Sequence, residues 1–93
     1  LGYFGLAYFL ENDETLKALS VDGVEPTPEN AKSEEYSLAR PLYIYVNPAA
    51  LDRPEVMAFV EYYLETARDT DLITEVGYVP LETDAYDEAL GLL

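Results

Sequence analysis

Carboxylates are the reactive groups this sequence holds in quantity, and two short runs set them at ligand-like spacing: Glu11-Asn12-Asp13-Glu14 and Asp69-Thr70-Asp71. Alternating hard oxygen donors suit a divalent cation. A calcium loop, however, needs a longer ladder with a central Gly and a terminal bidentate Glu, and neither run has one. A carboxylate pair for acid–base work needs one member held in an apolar cleft with a raised pKa. Glu61, beside Tyr62 and Tyr63, comes nearest, but its helical spacing turns it to the outward face. Lys17 and Ser20 have the residue types of a Ser–Lys nucleophile. They lie three apart in a predicted strand, which sends them to opposite faces. Gly2-Tyr3-Phe4-Gly5 resembles a weak anion-binding turn at a helix start, yet it lacks a full glycine fingerprint and a basic neighbour. Tight turning and close packing account for these glycines better. Arg40 is one of only five basic residues; an internal salt bridge is the favoured reading, an anion contact the other. Tyr43 and Tyr45 read as core side chains rather than a ligand platform. The residues therefore predict no catalytic, ligand-binding or metal site in this segment, and no cofactor.

Composition narrows the function further. The 93 residues include 19 Asp+Glu against 5 Lys+Arg, with no His, Cys or Trp, for a formal charge of −14. The chain has no imidazole base, no thiol nucleophile, no thiolate zinc site and no disulfide. Its charge repels nucleic acid and anionic membrane surfaces, so neither is an expected partner. No apolar run approaches the ~18 residues of a spanning helix, and no basic-then-apolar leader is present. A hydrophobic content of 49% is too high for a disordered acidic tail. The scarcity of lysine suggests a salt-loving or marine source. The chain opens on Leu1 rather than Met, which places its expected natural start upstream.

The elements that would position these residues follow from periodicity. An extended start turns into a helix near Leu6, with Leu6, Phe9 and Leu10 on one face, ended by the Glu11–Glu14 cluster. Leu16 to Val21 predicts a short strand closed by an Asp22-Gly23 turn. Within a long polar connection, Thr27-Pro28-Glu29-Asn30 has the pattern of a helix start and predicts one or two turns reaching about Ser33. Arg40 to Val46 is the strongest strand signal, β-branched and aromatic and apolar on both faces. That pattern implies a strand covered on both sides. Pro54 to Arg68 is the strongest helix signal, with Val56, Phe59, Val60, Tyr63, Leu64 and Ala67 at i, i+3, i+4, i+7 spacing. A second helix over Asp71 to Val76 stops at a left-handed Gly77 and at Pro80. Thr83 is placed to cap a last short helix carrying Ala85, Tyr86, Ala89 and Leu90. The fold class is α/β, with too few strands for a complete sheet.

Three phrases in order resemble a known family. They are Gly2 to Phe9, Tyr36-Ser37-Leu38-Ala39-Arg40-Pro41-Leu42-Tyr43-Ile44-Tyr45-Val46, and Pro54-Glu55-Val56 running on to Glu75-Val76-Gly77-Tyr78-Val79-Pro80-Leu81. Leu1 to about Leu81 is similar to the C-terminal part of the periplasmic phosphate-binding proteins of ABC transporters, and Asp22 to Asn30 looks like that family's connecting segment. The resemblance implies a two-lobed, class II solute-binding fold, of which this chain is the C-terminal portion, an incomplete sheet flanked by helices. Residues 1–38 would end the second lobe, residues 39–47 would form the hinge-crossing strand, and residues 48–93 would return as helices to the first lobe. Leu42, Tyr43, Ile44, Tyr45 and Val46 would serve the hinge. The family's phosphate ligands lie in upstream segments, and no residue here matches them. The implied function is non-catalytic capture of inorganic phosphate outside the cytoplasm, in the periplasm or anchored at the cell surface. The implied partners are a membrane permease and the remainder of the same chain.

Two other classes stay open. A small acidic module could bind a basic partner through its carboxylate faces, and a hydrolase could use a carboxylate pair or a divalent metal.

Overall fold

Proline and short polar side chains set most helix starts in this chain. The computed structural model describes residues 1–93 and contains five α-helices: α1 (Leu6–Glu11), α2 (Pro28–Lys32), α3 (Pro54–Asp69), α4 (Leu72–Glu75) and α5 (Thr83–Gly91), with a 3-10 turn at Pro48–Asp52. The chain divides into two compact units. One comprises Leu1–Pro41 with Ile73–Val79, the other Leu42–Leu72 with Pro80–Leu93.

In the first unit, α1 leaves an extended Gly5, whose carbonyl accepts from the Phe9 amide at 3.1 Å. Asn12 ends the helix, its Nδ2 donating to the Tyr8 carbonyl at 2.9 Å. Phe4 stacks on Tyr8 with ring centroids 5.2 Å apart, tying the extended start to the helix. The expected strand over Leu16–Val21 does not form. Only an isolated bridge joins Val21 and Val24, through reciprocal bonds of 2.9 and 3.0 Å. Asp22 (φ 52°) and Gly23 (φ 79°) make the turn between them, the two consecutive positive φ values of a tight hairpin. The turn expectation held, but a strand requires a neighbouring ladder and this one has none beyond the bridge.

The start of α2 is as the sequence predicts. Thr27 Oγ1 accepts from the Asn30 amide at 3.2 Å, Pro28 opens the helix, and Ser33 ends it. Asn30 Nδ2 also donates to the Glu25 carbonyl at 2.8 Å, and Tyr36 Oη donates to the Leu19 carbonyl at 3.3 Å, closing the long connection on itself. The last helical turn before Gly77 closes in a two-bond motif. The Tyr78 amide donates to the Ile73 carbonyl and the Gly77 amide to Thr74, both at 3.0 Å. With Gly77 at φ 93°, this is the glycine stop that relieves otherwise unpaired helix carbonyls.

In the second unit, Asn47 Oδ1 accepts from the Ala49 amide at 3.0 Å and starts the 3-10 turn. Arg53 then enters α3 with extended backbone and no side-chain cap. Its guanidinium reaches the Glu55 carboxylate at 2.7 and 2.9 Å. α3 packs on α5 and on the 3-10 turn, and the buried side chains are Val60, Leu64, Ala67 and Tyr86. Val60, Leu64 and Ala67 form the buried side of the apolar stripe on α3. Val56, Phe59 and Tyr63 lie along the other side, where nothing covers the 66% exposed Phe59. At α5 the sequence expectation shifts by one residue. Glu82 occupies the N-cap and Thr83 is the first helical residue, with no side-chain cap bond.

The chain holds no sheet, which corrects the expectation of an incomplete one. Arg40–Val46 takes no regular structure, and no backbone hydrogen bond involves any of these seven residues. Aromatic and β-branched content suits a pleated surface, but propensity cannot supply the adjacent strand whose amides and carbonyls complete the ladder.

Candidate functional site

The residues expected to serve a hinge form the most distinctive surface of the chain. Leu42 is 72% exposed, Tyr43 69%, Ile44 48% and Tyr45 92%, while Val46 is half-buried. The expectation of a strand covered on both faces is therefore reversed within these 93 residues, and Tyr43 and Tyr45 are not core side chains. Their rings lie 6.3 Å apart with planes tilted by 45°, as side chains two apart on one extended face should.

Behind this run lies an open apolar groove of about 450 Å³. Ile44, Tyr45 and Val46 form one wall, Val56, Phe59, Val60 and Tyr63 of α3 form the other, and Asn47 and Ala50 close the end. From Pro41 to Leu51 the sequence has no charged residue. The groove thus offers apolar contact and free backbone donors and acceptors, which is equipment for packing against polypeptide. It offers nothing for acid–base or nucleophilic chemistry.

The other sequence candidates serve local structure. Asn12 of the first acidic run caps α1, and the Thr15 hydroxyl donates to the Asn12 carbonyl at 3.1 Å. In the second run, Thr70 Oγ1 donates to the Thr66 carbonyl at 2.6 Å and accepts from the Leu72 amide at 3.3 Å. No group of three or more Asp or Glu side chains converges as a metal site would require. Glu61 is exposed on the outward face of α3, as expected. Lys17 and Ser20 are both exposed. Arg40 is exposed and forms no ion pair, so the favoured salt bridge is absent.

Arg68 lies in the last turn of α3, where a cation complements the helix dipole, and the structure gives it more. Its guanidinium binds Asp69 through Nε at 2.7 Å and Nη2 at 2.9 Å, and Asp87 of α5 through Nη1 at 2.8 Å. These bonds hold the Asp69 carboxyl below its ordinary pKa, against a smaller opposing effect of desolvation. Asp69 and Asp87 in turn raise the Arg68 pKa further above its already high value. Glu55 is also held low, first by a backbone hydrogen bond and then by Arg53. These groups clasp helices and stand away from the groove.

With no reactive constellation in the chain, similarity to other proteins bears on its function. Protein SphX of Synechocystis is 45% identical over 94% of this chain, and Protein SphX of Synechococcus elongatus 41% identical over 96%. The phosphate-binding protein PstS of Staphylococcus aureus is 33% identical over 97%. The resemblance read from the sequence therefore holds. Almost the whole chain matches part of these proteins. It spans only 27–29% of their length. No family model matches, and no solved structure matches. No helix here is long and apolar enough to cross a membrane.

Proposed function

We propose that this chain is the C-terminal part of the phosphate-binding component of an ABC-type phosphate uptake system. It acts there without catalysis, in capture of inorganic phosphate and its delivery to a membrane permease. The observation that carries this reading is the 33–45% identity to SphX and PstS proteins over nearly the whole chain. The whole protein would have the α/β, two-lobed class II fold and work outside the cytoplasm.

On this reading residues 39–47 form the hinge-crossing strand, with Leu42 to Val46 serving the hinge. Residues 1–38 end the second lobe and residues 48–93 return as helices to the first. The exposed, unbonded state of residues 42–46 supports the idea that the remainder of a longer chain covers them. A seven-residue run with no ladder partner and large exposed side chains is costly in water. It becomes favourable once strands pair on its edges and helices cover its faces. On this reading the phosphate ligands belong to the rest of that chain.

The test is a calorimetric titration of the complete gene product with phosphate, and with sulfate as control. Saturable heat from phosphate alone is the expected result, with none from the isolated 93 residues. Absence of heat from the folded complete protein would remove phosphate from the function. Tight retention by the 93 residues alone would overturn placement of the ligands elsewhere.

A further inference from the structure

Of the aspartates in this chain, Asp22 alone precedes a glycine. The pair makes the tight turn between Val21 and Val24, with Asp22 at φ 52° and Gly23 at φ 79°, and both residues are exposed. The two bonds that close the turn run between Val21 and Val24 and leave the Gly23 amide without an acceptor. The Asp22 carboxyl enters no ion pair. A Cβ built on Gly23 would meet nothing within 4 Å, so the backbone there stands in open space. A free carboxyl thus adjoins a free amide nitrogen. The other aspartates lack that combination. The amides after Asp52, Asp69, Asp71 and Asp84 donate to the Ala50 carbonyl, the Thr66 carbonyl, the Thr70 hydroxyl and the Glu82 carbonyl. Asp87 lies within α5, with its carboxylate on Arg68. Asp13 is followed by Glu14, whose side chain crowds the amide as glycine does not.

We propose that Asp22-Gly23 is a site of spontaneous backbone modification, at which Asp22 converts to isoaspartate in the folded protein. The Gly23 nitrogen attacks Cγ of the Asp22 carboxyl in its acid form. A C–N bond forms, the carboxyl hydroxyl leaves with the amide proton as water, and a five-membered succinimide results. Water then opens the ring. Cleavage at Cγ restores aspartate, whereas cleavage at the Asp22 backbone carbonyl leaves the chain running through the side chain as isoaspartate. Water is the only co-reactant. Ring closure requires the peptide between Asp22 and Gly23 to rotate. Two features of the turn permit this. Positive φ at the first central residue is shared by type I′ and type II′ turns, which differ by that rotation. The Val21–Val24 bridge is isolated, with no ladder beside it to oppose local opening. The product carries one more backbone carbon, which the reciprocal Val21–Val24 bonds cannot span, so the turn is lost with the modification. None of this depends on phosphate binding.

The experiment keeps the complete gene product folded in warm neutral buffer for weeks and digests samples with trypsin. Cleavage after Lys17 and Lys32 frees a peptide, Ala18–Lys32, with Asp22 as its only aspartate. Isoaspartate is measured by methyl transfer from labelled S-adenosylmethionine with an isoaspartyl methyltransferase, and fragmentation assigns it to Asp22 rather than Asn30. The succinimide appears as the same peptide lighter by one water. A synthetic Ala18–Lys32 peptide supplies the rate without the folded turn. In the protein, isoaspartate at Asp22 should form at least tenfold faster than at any other aspartate of these 93 residues, and at no less than one-tenth of the synthetic peptide's rate. Asp22→Asn keeps a residue suited to the turn; it should release ammonia in place of water and react several-fold faster. Isoaspartate spread evenly over the aspartates overturns the proposal. So does a rate in the protein below one-tenth of the peptide's, which would mean that the turn protects the bond, or an Asp22→Asn variant that reacts no faster.

Discussion

A Cβ added at Gly77 would stand 2.7 Å from the Cβ of Ala7 and 3.0 Å from its Cα. The glycine after α4 therefore does two things at once. Its φ of 93° ends the helix, and its missing side chain lets the backbone of α1 approach.

Gly77→Ala should destabilise the first unit by at least the ~1–3 kcal/mol of a non-glycine residue in such a conformation, with the clash added. Urea unfolding followed by circular dichroism measures the sum. Adding Ala7→Gly removes the 2.7 Å contact but leaves the Ala7 Cα at 3.0 Å, so it should restore only part of the loss. A double variant no better than Gly77→Ala would show that the approach of α1 is relaxed at little cost.

Leu64→Ala removes the centre of the buried α3 row. Truncation of a buried leucine costs about 2–5 kcal/mol, a large part of the stability of any small domain. The expected outcome is loss of cooperative thermal unfolding in the second unit. Phe59→Ala, on the uncovered side of the same helix, should change it far less.

Tyr86 Oη accepts from the Leu81 amide at 3.0 Å, joining the segment before α5 to the helix itself. Tyr86→Phe keeps the ring and leaves that part-buried amide without its partner. A loss of about 1 kcal/mol is expected, read from the urea midpoint, together with faster hydrogen exchange at the Leu81 amide. Unchanged exchange would mean that the bond is not maintained in solution.

The Arg68 clasp sets a pH dependence. Asp69 has a folded-state pKa below its ordinary 3.8, so its contribution is present above that ordinary value. It is lost as pH falls through the lower folded value. The stability difference between the wild type and Arg68→Met should accordingly be constant near neutral pH and shrink below about pH 4. Thermal unfolding of both proteins from pH 7 to 2.5 measures it. A difference that persists unchanged at pH 2.5 would assign the role of Arg68 to packing of its aliphatic stem.

Local grammar was legible wherever a few adjacent residues suffice to form a structure. Thr27-Pro28 started a helix and Asp22-Gly23 made a turn. The apolar repeat from Val56 to Ala67 made the longest helix, and the glycine stop formed at Gly77. Each depends on bonds that close within about five residues, so the sequence itself determines them. The ordered phrases from Gly2 to Leu81 likewise carried the resemblance that the SphX and PstS identities support.

What the linear order could not decide was which surfaces find partners. Arg40–Val46 has the composition of a buried strand, yet burial and pairing require neighbours far away in sequence, and here they are missing. The stripe on α3 predicted an apolar face but not that Val60, Leu64 and Ala67 would be buried and Phe59 left in the open. Arg68 suited the helix dipole by position, and only the docking of α5 brought Asp87 to within 2.8 Å of it. Short-range bonds are encoded by residues next to one another, whereas side-chain burial and long-range ion pairs depend on which distant elements meet.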